Sequence, residues 1–150
     1  MAGSAWVGRI VGAAMSLLAA PAVAQDRDRQ WALCFGEPGV EDERSIAACT
    51  ARVQSGEEPP RGVAMALVHR AHKFERLRDH ARALADYDEA IRVDPSYADA
   101  FLNRGNSHAI AGRHERAILD YDQAIRLAPS DKDAFYNRGL AYAALEKHDR

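Results

Sequence analysis

A chain of 150 residues suits one domain, and 47% hydrophobic against 28% charged residues is an ordinary globular balance. A formal net charge of −2 provides neither a basic footprint nor an acidic tail, which sets nucleic acid aside as a partner. The first two dozen residues stand apart. The amino terminus and Arg9 lead into an apolar run over 10–20, and Pro21-Ala22-Val23-Ala24 then precedes the polar Gln25-Asp26-Arg27-Asp28. A basic start, an apolar stretch and an A-x-A site together predict that residues 1–24 are a secretory signal peptide, cleaved near Ala24. The run is shorter than the ~20 residues a spanning helix needs, so the mature chain is expected to have no membrane span. No cysteine follows the site directly, which argues against a bacterial lipid anchor. The expected location is periplasmic or secreted.

Export would place Cys34 and Cys49, the two cysteines of the chain, in an oxidising compartment, and they are expected to pair. Closing such a loop stabilises a fold by about 3 kcal/mol when the geometry is unstrained. A redox-active pair would more usually be spaced C-x-x-C. Around the cysteines, Asp28–Phe35 reads as a short helix with Trp31 and Phe35 on one face, broken by Gly36-Glu37-Pro38-Gly39. Glu41-Asp42-Glu43 supplies acid to the first turn of a second helix. There Ile46, Cys49 and Val53 follow the i, i+3, i+7 spacing that Ile118, Tyr121 and Ile125 also show. Residues 28–55 are therefore expected to form a degenerate helical hairpin. With the linker Ser55-Gly56-Glu57-Glu58-Pro59-Pro60, it makes an N-terminal unit over 25–60.

The remainder, 61–150, repeats. R-A-L-A-D-Y-D-E-A-I-R-V-D-P at Arg82–Pro95 returns thirty-four residues later as R-A-I-L-D-Y-D-Q-A-I-R-L-A-P at Arg116–Pro129. Asp99-Ala100-Phe101-Leu102-Asn103-Arg104-Gly105 likewise returns as Asp133-Ala134-Phe135-Tyr136-Asn137-Arg138-Gly139. A fixed period of this size marks one supersecondary unit stacked on itself. The units are expected at about 64–97 and 98–131, with a partial unit at 132–150. Their helices are expected at Val63–Leu77 and Ala81–Val93, at Ala98–Ala111 and Glu115–Leu127, and at Lys132–Leu145. Gly112 falls at an internal turn, where positive φ costs glycine nothing. The register would start a further helix at the end of the sequence, so the last helix reads either as a cap or as half of a unit.

Period thirty-four, two helices per unit, small residues at helix contacts and a closing proline resemble the tetratricopeptide repeat. The family's large residue early in the first helix is matched by Leu67, Phe101 and Phe135. Its small residue is matched by Ala71, Gly105 and Gly139, and its next aromatic by Phe74, His108 and Tyr142. In the second helix Ala83 and Ala117, Tyr87 and Tyr121, and Ala90 and Ala124 match. Arg78 and Glu146 depart from the pattern, standing where the family often has the glycine kept at Gly112. The W-A-L-C and A-A-C-T-A segments resemble exported tetratricopeptide proteins of proteobacteria. The resemblance implies an all-α solenoid of stacked helix-turn-helix repeats, preceded here by a disulfide-stapled helical hairpin.

Six histidines invite a metal hypothesis. His80, His114 and His148 are spaced by the period, so stacking places them on separate turns, unsuited to one tetrahedral site. His108 occupies an aromatic slot. His69 and His72 share a helical face, but no third ligand completes a set in that turn. Asp86/Asp88 and Asp120/Asp122 recur with the repeat and lie two apart, on different helix faces, as solvated or inter-repeat contacts rather than a catalytic pair. G-x-S-x-G, P-loop, H-E-x-x-H and G-x-G-x-x-G motifs are absent from the sequence. The expectation is no enzyme, no catalytic residues, no metal and no cofactor.

The resemblance implies a concave face, lined by first helices, that holds an extended peptide or a partner helix. The matching positions include Met65, Val68, His69, His72, Asp99, Leu102, Asn103, Asn106, Asp133, Tyr136, Asn137 and Leu140. Asn103, Asn106 and Asn137 lead, because a side-chain amide both donates to and accepts from a peptide backbone. Leu102 and Tyr136 add apolar contact, and His72 lines the first unit. The basic clamp that grips a terminal carboxylate in some relatives is not visible, since Val68, Leu102, Asp99 and Asp133 stand where lysine would be needed. Asp99 and Asp133 favour a neutral or basic ligand segment. The expected function is a protein-interaction module of the cell envelope with a protein or peptide partner. The alternative is a self-associating scaffold, a homo-oligomer formed through the incompletely covered Phe135 and Tyr142 of the last helix.

Overall fold

The structure, a computed structural model, describes residues 19–36 and 39–148. Most of the expected signal peptide, residues 1–18, lies outside the described residues, as do Glu37 and Pro38 of the expected break. The described chain forms seven helices and, among the described residues, no strand. They are α1 (Ala19–Phe35), α2 (Asp42–Gln54), α3 (Pro60–Arg76), α4 (His80–Val93), α5 (Ala98–Ile110), α6 (His114–Leu127) and α7 (Lys132–His148). The chain is an all-α solenoid. Each helix packs on the next, and α1 also meets α3, α3 meets α5, and α5 meets α7. The even-numbered helices make no such approach to one another, so they splay outward and α3, α5 and α7 line the inner, concave side.

Small residues permit this packing. Ala71, Ala83, Ala90, Ala117 and Ala124 are buried at the helix contacts, where backbones approach closely. Tyr87 and Tyr121 fill the space between helices as the largest fully buried side chains. Gly105 faces Tyr121: a Cβ added there would stand 2.8 Å from the ring. Turns repeat with the same fidelity. Helix α5 ends with Gly112 at φ +70°, Gly112 N–H bonding Ala109 O (3.0 Å) and Arg113 N–H bonding His108 O (2.8 Å). Helix α3 closes the same way around Arg78, φ +62°, with bonds to Glu75 O (2.9 Å) and Phe74 O (2.8 Å). Both are Schellman closures, and only one has the glycine that favours them.

Several elements begin earlier than expected. Helix α3 starts at Pro60, with Pro59 as N-cap, because proline at the first helical position loses no hydrogen bond there. Helix α1 starts at Ala19 rather than near Asp28, so the backbone is helical on both sides of Ala24. Helix α7 runs past Leu145 to His148. Cys34 of α1 and Cys49 of α2 are joined, with Cα atoms 4.7 Å apart. Both are fully buried, packed with Ala66 of α3 and the partly buried Trp31 and Val53. Counting back one period from Ala83 gives Cys49, so the staple occupies the slot of the small residue in the regular hairpins.

Candidate functional site

The concave side carries a groove of about 510 Å³ between α5 and α7, closed at its floor by α6. Asn106, Ala109 and Ile110 face Asn137, Leu140 and Ala144 across it, with His114, Tyr121 and Ala141 below. One hydrogen-bonded chain organises the polar part. The Tyr121 hydroxyl donates to Asn106 Oδ1 (2.9 Å), and Asn137 Nδ2 donates to the same oxygen (2.9 Å). Burial, then the Asp120 charge, pushes the Tyr121 phenol up to about 12, so the donor keeps its proton. Asn106 Oδ1 is thereby saturated. Asn106 Nδ2 and Asn137 Oδ1 have no hydrogen-bond partner among the described residues, so a donor and an acceptor stand side by side. Apolar contact comes from Ile110 and Leu140, both exposed.

The other expected positions divide. Asn103 donates its amide to Asp99 O one turn back (2.8 Å), and so does not join the Asn106–Asn137 pair. Leu102 is half-buried and packs into the core beside Ala117 and Tyr121. Tyr136 is exposed, as are Asp99 and Asp133. His72 lies farther along the concave side, with its ring 6.1 Å from Tyr87 and 6.0 Å from His69. His69 is covered by the N-terminal hairpin, with Phe35 against it edge-on at 4.4 Å. Burial, with help from His72 and Lys73, pushes its imidazole down to about 4, against the opposing pull of Asp99. Among the described residues no three His, Cys, Asp or Glu side chains converge as metal ligands would.

A ladder of arginines ties the groove helices to their neighbours. Arg70, Arg104 and Arg138 recur at the period. Arg70 grips Asp86 with two hydrogen bonds (2.8 and 2.7 Å) and Arg104 grips Asp120 likewise (3.0 and 2.6 Å). Arg104 also reaches back to Asp88 (2.7 Å), as Arg138 reaches Asp122 (2.6 Å). Asp88 and Asp122 therefore make the expected inter-repeat contacts. Asp86 and Asp120 correct the expectation: they are buried and bind within their own unit. The Ser107 hydroxyl donates to Glu75 of the preceding unit, adding a further crosslink.

Stacked hairpins with their first helices inward, amides and apolar side chains on the concave face, and ion pairs both within and between units define a helical-repeat scaffold for protein interaction. The tetratricopeptide repeat family matches residues 70–131 and 112–150, more than half the sequence together, and the chain belongs to that family. The second TPR domain of human RPAP3, in complex with the HSP70 peptide SGPTIEEVD, is 25% identical with a TM-score of 0.64, over 79% of this chain and 93% of that one. The first TPR domain of human RPAP3 is 21% identical with a TM-score of 0.69, over 82% and 97%. A crystal structure of MamA is 21% identical with a TM-score of 0.66, over 87% and 76%. No match is found among the curated proteins.

Proposed function

We propose that the chain is a non-enzymatic interaction module of the cell envelope that holds an extended peptide segment of a partner protein between α5 and α7. The observation that carries this is the unpaired donor and acceptor of Asn106 and Asn137, aligned beside Ile110 and Leu140. An extended peptide presents carbonyls and N–H groups along its backbone with side chains between them, which such a donor, acceptor and apolar set can engage. The peptide-bound RPAP3 domain supports the use of this fold for such a ligand. Exposed Asp99 and Asp133 favour a neutral or basic segment over an acidic tail. The envelope location is supported by the signal pattern of residues 1–24 and by the Cys34–Cys49 bond, which needs an oxidising compartment to persist. Among the described residues no helix is long and apolar enough to cross a membrane.

Site-specific photocrosslinking from position 140, with position 119 on the opposite face as control, tests the assignment in envelope extract. A partner captured from 140 and lost in Asn106→Ala/Asn137→Ala supports it. Capture that ignores both substitutions contradicts it. A second reading, self-association, is favoured by Phe135 and Tyr142, 45% and 50% exposed on α7, and by the open space around Gly139. Light scattering that shows a strict monomer at micromolar concentration removes it.

A further inference from the structure

The face opposite the groove holds a second cavity, of about 370 Å³, where Arg104, Arg113 and Arg116 surround His108 with Asp88 and Asp120 alongside. Both carboxylates are committed to Arg104, which donates three hydrogen bonds to them. Arg113 and Arg116 make no ion pair and no side-chain hydrogen bond among the described residues. Arg113 Nε and His108 Nδ1 are both sealed from solvent without a partner. A buried donor left unpaired is costly, so the cavity is chemically incomplete.

The chain shows what completes it, one period earlier. At the start of α4 the N-cap is Asp79, whose carboxylate accepts from Arg82 N (3.0 Å) and from Arg82 Nε (2.6 Å). Those bonds hold the Asp79 carboxyl below the usual carboxylate range. At the start of α6 the equivalent residues are Arg113 and Arg116. The backbone is nearly the same, with N-cap φ/ψ of −93°/61° against −93°/72°. Yet the carboxylate has been replaced by a guanidinium, and α6 has no side-chain cap. The helix start and the arginine three residues into it, Arg82 and then Arg116, are retained while the anion that capped α4 is missing. The neighbouring imidazole reports the same field: burial lowers His108, and Arg113, Arg104 and Arg116 push it the same way against Asp120.

We propose that this cavity binds an oxyanion, a carboxylate or phosphate group, which sits between Arg113 and Arg116 at the start of α6 and does there what the Asp79 side chain does at α4. The guanidiniums supply charge-assisted hydrogen bonds, and the uncapped N–H groups of the first turn supply the rest. The site lies on the face away from the Asn106–Asn137 groove, so it stands or falls independently of the peptide reading.

Titration followed by NMR of the arginine Nε–H and His108 ring signals tests it, at constant ionic strength maintained with chloride. Inorganic phosphate probes the free ion, and an acetylated Glu-Glu peptide amide probes a carboxylate carried by a protein. Saturable shifts at Arg113, Arg116 and His108 with either probe are the expected result, and the probe that binds tighter identifies the source. Arg113→Asp restores the internal cap, so it should bind at least about tenfold more weakly. It should also melt higher than wild type in anion-free buffer. Arg116→Gln provides the same loss without a new carboxylate. Linear shifts no larger than those from chloride, or an Arg113→Asp protein that binds as tightly as wild type, would overturn the proposal.

Discussion

Gly105 and Gly139 occupy the same place in successive units, yet alanine there should act with opposite sign. At Gly105 the new Cβ would stand 2.8 and 3.0 Å from two carbons of the Tyr121 ring and 3.2 Å from Asp120 Cβ. Tyr121 cannot swing away, since it is 1% exposed and its hydroxyl is tied to Asn106. Overpacking of a fixed core costs about 1–3 kcal/mol, against a gain of about 1 kcal/mol from replacing a helical glycine. The net expectation is a loss of up to about 2 kcal/mol. At Gly139 nothing lies within 4 Å, so only the helix gain remains, about 0.5–1 kcal/mol. Thermal and urea unfolding of the two variants should therefore move apart by about 2 kcal/mol, with Tm shifts of roughly 4 °C per kcal/mol. Destabilisation by both would refute the reasoning, since it would mean that the α7 face is covered in solution.

Arg104→Leu leaves Asp120, whose side chain is 7% exposed, without its partner and should cost about 3 kcal/mol in urea unfolding. Arg138→Leu frees the more exposed Asp122 and should cost less than about 1 kcal/mol. Arg78→Gly relieves a left-handed backbone of about 1–2 kcal/mol, partly offset by glycine's entropy, and should raise stability by up to about 1 kcal/mol. His69 is held near 4 in the fold against 6.5 when free, so the unfolded chain binds the extra proton between those values. Stability from this residue is complete above pH 6.5 and declines as pH falls toward 4. His69→Phe should flatten that part of a pH–stability profile measured by urea unfolding.

The repeat made much of the fold legible, because Ala83, Tyr87 and Ala90 reappear at Ala117, Tyr121 and Ala124 and a period needs no tertiary knowledge to read. Two cysteines left only one pairing to consider. What stayed hidden depended on side chains meeting across helices. Arg104 and Asp120 are sixteen residues apart, and only the packing angle of α5 on α6 brings them together. The same holds for Asn106, whose amide oxygen is claimed by Tyr121 and Asn137, whereas Asn103 turns back on its own helix. Nothing in the residues near His69 signals that Phe35, from the stapled hairpin, covers it. Arg113 was equally silent, because its significance appears only when α6 is laid over α4 and the carboxylate of Asp79 has no counterpart.

The groove reading is tested most directly by selecting displayed peptides on the folded chain and following the side-chain amide NMR signals of Asn106 and Asn137 as a selected peptide is added. The account predicts neutral or basic peptides that shift both amides, together with Leu140 and Ile110, and whose affinity falls in Asn106→Ala/Asn137→Ala. Peptides that bind while leaving those signals in place, or that prove acidic and indifferent to both substitutions, would contradict it.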